Sequence, residues 1–218
     1  MWAGNNIAVA FGLGLTGAHR TGKTTIAERL AEELQCPFIS SSASQVAAEM
    51  GITKFEGMLP SDRRAYQERV LETFTKRYES ESASGVFVSD RTPLDFAAYV
   101  LTEWSPALND LEHDEWVADY LLRCKKATSR FFFQVAVVQP GIPFVSAKGK
   151  AAAGNAYREC LNTVSIGLVS DPEVSAHCVI LPRLMTDNET RVEALFQTYT
   201  ERFNAYAEEL VEAYGKPA

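Results

Sequence analysis

The chain has 218 residues, 46% of them hydrophobic and 22% charged, with a formal net charge of −7. Those values describe one sizeable α/β domain and exclude disordered, fibrous and membrane-spanning chains. The negative balance gives no global signal for nucleic-acid binding, so any such contact needs a local basic patch.

Met1–Asn6 lacks the basic segment of a signal peptide, and no apolar run is long enough to span a membrane. A cytoplasmic enzyme is the expectation. Ile7 to Leu15 is an apolar run that reads as a buried strand. Gly17-Ala18-His19-Arg20-Thr21-Gly22-Lys23-Thr24 follows and fits G-x-x-x-x-G-K-[ST], a phosphate-binding loop. Gly17 and Gly22 permit backbone angles that a side chain would block, so the loop N–H groups can turn inward around a phosphate. Ile26, Leu30 and Leu34, spaced four apart, mark the helix behind it. Its N-terminus adds the positive end of a dipole. In this motif Lys23 reaches the β- and γ-phosphates and the Thr24 hydroxyl ligates Mg²⁺. Gly17 to Thr25 is therefore the candidate ATP-binding segment.

Cys36–Ser40 reads as a short second strand, and Gln45–Met50 as a helical piece stopped by Gly51. Gly51 to Pro60 reads as loop. Ser61 is placed to cap a long helix to about Ser80, with Tyr66, Val70, Phe74 and Tyr78 as its apolar stripe. Arg63, Arg64, Gln67 and Arg69 fall on its other face. Ser80–Gly85 links to a third strand, Val86–Val88, which ends in Ser89-Asp90-Arg91. Thr92-Pro93-Leu94-Asp95 is a helix start, with Thr92 as cap, proline in the first turn and Asp95 as capping-box acid. Asn109 and Asp110 open another helix, with Trp116, Val117, Tyr120, Leu121 and Cys124 on one face. Phe131–Val138 is almost wholly apolar, as in a strand covered on both sides. A small, basic stretch, Ala147–Asn155, precedes a helix from about Tyr157 to Val169. Val179–Leu181 is the fifth strand. Thr186 to Glu189 reads as a capping box for the last helix, which carries Val192, Leu195, Phe196, Tyr199, Phe203, Tyr206 and Leu210. Four cysteines, Cys36, Cys124, Cys160 and Cys178, form no CxxC pair and read as small core residues, not as a zinc site or disulfide frame. Five strands alternating with helices predict a three-layer, mainly parallel sheet in a single domain over 1–218.

Asp90 ends an apolar strand, where P-loop proteins place the acid that holds Mg²⁺ directly or through water. Arg91 beside it presents a fork that grips phosphate in two places. With the P-loop, Asp90-Arg91-Thr92-Pro93-Leu94-Asp95-Phe96-Ala97-Ala98-Tyr99 resembles the P-loop kinases of nucleosides and nucleotides, nearest to small phage-encoded members. The resemblance spans nearly the whole chain. It implies the P-loop NTPase fold, with a five-stranded parallel sheet in order 2-3-1-4-5, helices on both faces, a lid at about 143–158 after the fourth strand, and an adenine-contacting loop after the fifth. It further implies that Gly17 to Thr24 hold the triphosphate. Thr24 and Asp90 would form the magnesium environment, and Arg91 would contact the acceptor or the transferred phosphoryl. Lys148, Lys150 and Arg158 would be lid cations, and Pro182-Arg183-Leu184 the adenine loop. Asp90 and Asp95 are alternative general bases.

Two departures bear on the acceptor. The position after the second strand, where deoxynucleoside kinases carry an acid, offers Ser40, Ser41 and Ser42. The lid is rich in lysine, glycine and alanine rather than arginine, which suits a larger acceptor. One phage-encoded group of this plan phosphorylates 5-hydroxymethyluracil within DNA. The expectation is accordingly a Mg²⁺- and ATP-dependent kinase acting on a nucleotide-type acceptor, first the hydroxymethyl group of 5-hydroxymethyluracil in DNA. A deoxynucleoside monophosphate is the alternative, and a non-kinase ATPase or nucleotide switch the third class. Arg63, Arg64, Arg69, Lys76 and Arg77 would supply the local basic patch that DNA requires, or Arg63 or Arg64 the grip on one acceptor phosphate.

Overall fold

The computed structural model describes residues 10–55, 57–103, 111–143 and 154–214. Its frame is a five-stranded sheet, all parallel, in the order β2-β3-β1-β4-β5. The strands are β1 (Phe11–Thr16), β2 (Phe38–Ile39), β3 (Val86–Ser89), β4 (Phe132–Val138) and β5 (His177–Leu181). The helices are α1 (Lys23–Glu33), α2 (Ala43–Glu49), α3 (Pro60–Ser82), α4 (Pro93–Glu103), α5 (Leu111–Phe131), α6 (Asn155–Val169) and α7 (Asn188–Tyr214). This is the order and architecture expected of the P-loop fold.

A strand's period of two, combined with helices on both sides, explains the near-continuous apolar runs. Along β4, Phe132, Val135 and Val137 join a core shared with α2 to α6, while Ala136 and Val138 join a second core shared with α1 and α7. In β1, Leu13 and Leu15 face the second core. Gly12 and Gly14 alternate with them. A Cβ at Gly12 would come within 2.5 Å of the Phe87 ring, and one at Gly14 within 2.7 Å of the Phe132 ring. The two glycines thus let aromatic rings lie directly against the strand, where Tyr78, Phe87 and Phe132 pack edge-on and stacked. Such ring pairs add about 0.5–1.5 kcal/mol each beyond area burial.

Several expected boundaries move, each for a local reason. Of the Ile7–Leu15 run, 7–9 lie outside the described residues and the strand continues to Thr16. α3 begins at Pro60, with Leu59 as the cap residue, because proline's fixed φ suits the first helical position. Ser61 is therefore inside the helix. α3 also runs through Ser82, taking up much of the expected linker. Gln67, expected on the polar face, is buried, and its carbonyl accepts from Tyr120 Oη at 3.1 Å. Asn109 and Asp110 lie outside the described residues, and α5 is described from Leu111. At α7 the cap is Asp187, not Thr186: Asp187 Oδ2 accepts from the Thr190 N–H and Oγ1, both at 2.8 Å. The cysteines are unpaired, but Cys160 is exposed rather than in the core. Among the described residues no helix is long and apolar enough to cross a membrane.

Candidate active site

β1 delivers the chain to Gly17 at its C-terminal end, and α1 carries it away from Lys23. Gly17 (φ 124°) and Gly22 (φ 93°) adopt the left-handed backbone that the motif needs. Arg20 shares that region at φ 56°. A non-glycine residue there costs on the order of 1–3 kcal/mol, the kind of strain concentrated at ligand-binding loops. Lys23 is only 7% exposed, and its Nζ donates to Gly17 O at 2.6 Å and Ala18 O at 2.7 Å. Burial pulls the ammonium pKa down to about 8, against the opposing charges of Asp95 and Asp90. The loop therefore keeps a desolvated cation at its centre.

Asp90 follows β3 and is almost fully buried. One carboxylate oxygen accepts from Thr24 Oγ1 at 2.8 Å, and the other from the Ser41 N–H at 2.8 Å. Thr24 and Asp90 thus meet as a hard-oxygen pair across 66 residues of sequence. That donor set fits Mg²⁺, which uses one or two protein ligands together with substrate phosphates. Behind them, Ser41 Oγ contacts Ser89 Oγ (3.1 Å) and Tyr78 Oη (3.2 Å). Ser89 Oγ and Tyr78 Oη in turn donate to Arg91 O at 2.7 and 3.1 Å. The serine stretch that lacks an acid has a positional role here: its backbone orients Asp90.

The Thr92–Asp95 cap forms as expected, the Thr92 N–H donating to Asp95 Oδ2 at 2.9 Å. Asp95 is 2% exposed. Burial raises its carboxyl pKa, and the charges of Lys23 and Arg91 oppose that rise. Arg91 Nη1 donates to Tyr99 Oη at 2.6 Å, and Tyr99 Oη lies 3.3 Å from His19 Nδ1. The His19 ring stacks on Tyr157 of α6, with centroids 6.1 Å apart and planes 18° apart. Burial, then Arg91, Lys23 and Arg20, push the His19 pKa down to about 3, so the imidazole is neutral at physiological pH. P-loop, strand-end acid, Arg91 and Asp95 converge at the C-terminal ends of β1 and β3.

Other expected site residues are placed elsewhere. Arg63 pairs with Glu103 and donates to Phe55 O at 3.1 Å. Arg64 pairs with Glu112 at 2.8 Å and lies 3.3 Å from His113 Nδ1. Both line a small crevice with Gln67, Val100 and Trp116. Arg69 and Lys76 share Glu72 and Arg77 donates to Ser40 O at 3.4 Å, so the cationic face of α3 is partly neutralised. Lys148 and Lys150 lie outside the described residues. The end of the expected lid, Asn155 to Arg158, is the first turn of α6. Arg158 is buried there, its Nη2 donating to Ile142 O at 3.3 Å, because α6 packs inward instead of opening to solvent. Arg183 follows β5 and forms a two-point pair with Glu159 of α6 at 2.9 and 2.5 Å. A larger pocket of about 510 Å³ opens at the opposite end of the sheet, by Phe132 and His177, away from all phosphate-binding residues.

Four residues of the site are not legible as such in the sequence: Ser41, Tyr99, Tyr157 and Arg191. Ser41 falls in the serine run and Tyr99 in the strand-end motif already singled out, and Arg191, whose Nη1 donates to Thr21 O of the P-loop at 2.9 Å, leaves a signal of its own. It stands in phase with Leu195 and Tyr199, an arginine on an apolar stripe.

The family model for the AAA domain matches residues 14–161. No curated protein matches the chain. Among solved structures, the deoxyadenosine kinase from M. mycoides with the products dCMP and a flexible dCDP bound is 14% identical, with a TM-score of 0.65 over 88% of this chain and 100% of that one. The NadR protein in complex with NAD and AMP-PNP is 15% identical, TM-score 0.60, over 96% of this chain and 51% of that one. Thymidylate kinase from Candida albicans is 12% identical, TM-score 0.55, over 90% and 93%. Identities this low establish a shared fold, that of the P-loop kinases.

Proposed function

The chain belongs to the AAA domain family, and from that premise we propose that it is a Mg²⁺- and ATP-dependent kinase that phosphorylates a nucleotide-type acceptor. The observation that carries this reading is the convergence of Lys23, Thr24, Asp90 and Arg91 at the C-terminal ends of β1 and β3, with Thr24 and Asp90 in direct contact. Phosphoryl transfer needs little covalent help from a protein; it needs position and charge. In this reading Gly17 to Thr25 hold the triphosphate. Lys23 follows the charge on the transferred group, and Arg91 grips that group or the acceptor phosphate. Thr24 and Asp90 would hold Mg²⁺, which when bound neutralises charge between the phosphates. Asp95 is the better-placed base of the two acids. Its carboxyl lies beside Lys23 and Arg91, burial raises its pKa against their charges, and it accepts from Thr92 through Oδ2. Asp90 has both oxygens engaged.

The acceptor we propose is a free nucleoside or nucleotide, with the deoxynucleoside monophosphate foremost. Proteins of similar fold were solved with small nucleotides, dCMP and dCDP as products and dATP, and one is a thymidylate kinase, named for a monophosphate. The electrostatic support for DNA is weak, since Arg63, Arg64, Arg69 and Lys76 each face a carboxylate and phosphate contacts dominate DNA affinity. Hydroxymethyluracil in DNA stays as the second reading, favoured by Ser40, Ser41 and Ser42 where an acid would serve a free sugar hydroxyl. Labelled ATP offered with nucleosides, deoxynucleoside monophosphates, and duplex DNA with and without hydroxymethyluracil decides between them. Label on a monophosphate supports our reading. Label on modified DNA alone overturns the acceptor.

A further inference from the structure

Arg191 has no exposed surface, although it is a permanent cation. Its Nε donates to Met185 O at 2.5 Å, in the segment after β5, and its Nη1 donates to Thr21 O at 2.9 Å, inside the P-loop. Among the described residues it forms no ion pair; its partners are carbonyl dipoles, and the opposing charge that acts on it is Asp187. The guanidinium also packs directly behind the loop's second glycine: a Cβ on Gly22 would sit 3.6 Å from Nη1. A buried charge without a full partner is costly, so an arginine here on the apolar stripe of α7 calls for a reason.

The peptide plane supplies one. Among the described residues no peptide bond is cis, so Thr21 C=O and Gly22 N–H point in opposite directions. Arg191 holds the carbonyl toward α7, which turns the Gly22 N–H away from α7. We propose that Arg191 is a positioning residue for the triphosphate. It fixes the Thr21–Gly22 peptide with its N–H toward the phosphates, and through Met185 it ties that peptide to the segment after β5. The bound polyanion in turn offsets the guanidinium's incomplete pairing. The inference rests on the reading that the P-loop takes ATP.

The test uses Arg191→Met, Arg191→Lys and a packing control, Val192→Ala, whose neighbouring side chain is buried on α7 without a P-loop hydrogen bond. Dissociation constants for Mg-ATP and the acceptor KM at saturating ATP are measured below each variant's unfolding temperature. Loss of a charge-assisted hydrogen bond predicts ATP binding weaker by about tenfold or more in R191M, an intermediate loss in R191K, and an acceptor KM within about twofold of wild type. V192A should unfold at lower temperature and bind ATP normally. Wild-type ATP affinity in R191M overturns the proposal, and so does an equal loss of ATP affinity in V192A. If R191M does not fold, unchanged affinity in R191K has the same consequence. A wild-type protein that binds no ATP removes the parent reading, an outcome distinct from a variant without effect.

Discussion

Lys23, Arg91 and His19 share one poorly solvated space with Asp90 and Asp95, and most of the chemistry we assign depends on that crowding. Lys23→Ala should lower phosphoryl transfer by about 10²- to 10³-fold, the scale for one transition-state contact, with the unfolding temperature little reduced. Asp90→Asn keeps the shape and removes the charge. Its Mg²⁺-dependent turnover should fall much further than its ATP affinity, which a magnesium titration of rate against one of binding will show. The depressed Lys23 pKa has a definite sign. Between about 8 and the ordinary 10.5 the unfolded chain holds more protons at this site than the folded one, so this site's contribution to stability rises with pH across that window. A bound polyphosphate favours the ammonium and moves its pKa back up. ATP binding at pH 8.5 should therefore take up protons, read as a dependence of the calorimetric heat on buffer ionisation enthalpy, and this uptake should vanish at pH 6.5. His19 behaves likewise at lower pH. Its contribution to stability, present above about 6.5, is lost as pH falls toward 3.

Among the elements, what a sequence reveals depends on how local the cause is. The P-loop, the Thr92–Asp95 cap and the two-sided apolar strands follow from residues a few positions apart, and each forms as read. The expected caps Ser61 and Thr186 gave way to Leu59, two residues earlier, and to Asp187, one residue later, because Pro60 suits the first helical position and the Asp187 carboxylate reaches the Thr190 N–H. The α7 cap gives a direct check. Asp187→Ala removes two hydrogen bonds from Thr190 and a negative charge at a helix N-terminus, and should lower the midpoint of chemical denaturation. The polar face of α3 was legible as basic, but its neutralisation was not. Glu103 and Glu112 come from α4 and α5, which no helical period on α3 can foretell.

At the scale of the whole molecule, the site lies beyond the carboxyl ends of the parallel strands, where α/β sheets bind ligands and where neighbouring connections depart to opposite faces. β1 sits between β3 and β4, so the P-loop and Asp90 become neighbours by topology, and Ser41 joins them because β2 flanks β3. These contacts span 49 to 66 residues of chain; motif reading could name Thr24 and Asp90 but not show Ser41 between strand and acid. Arg191 reaches Thr21 across 170 residues and was out of sight for the same reason. The central claim, that this constellation transfers phosphate to a nucleotide-type acceptor, is tested most directly by following γ-labelled ATP with Mg²⁺ in the presence and absence of deoxynucleoside monophosphates, for the wild type and Lys23→Ala. We predict acceptor-dependent ATP consumption with the label recovered on the nucleotide and a drop of about 10² or more in the variant. Label released only as free phosphate at a rate indifferent to every acceptor would contradict the account.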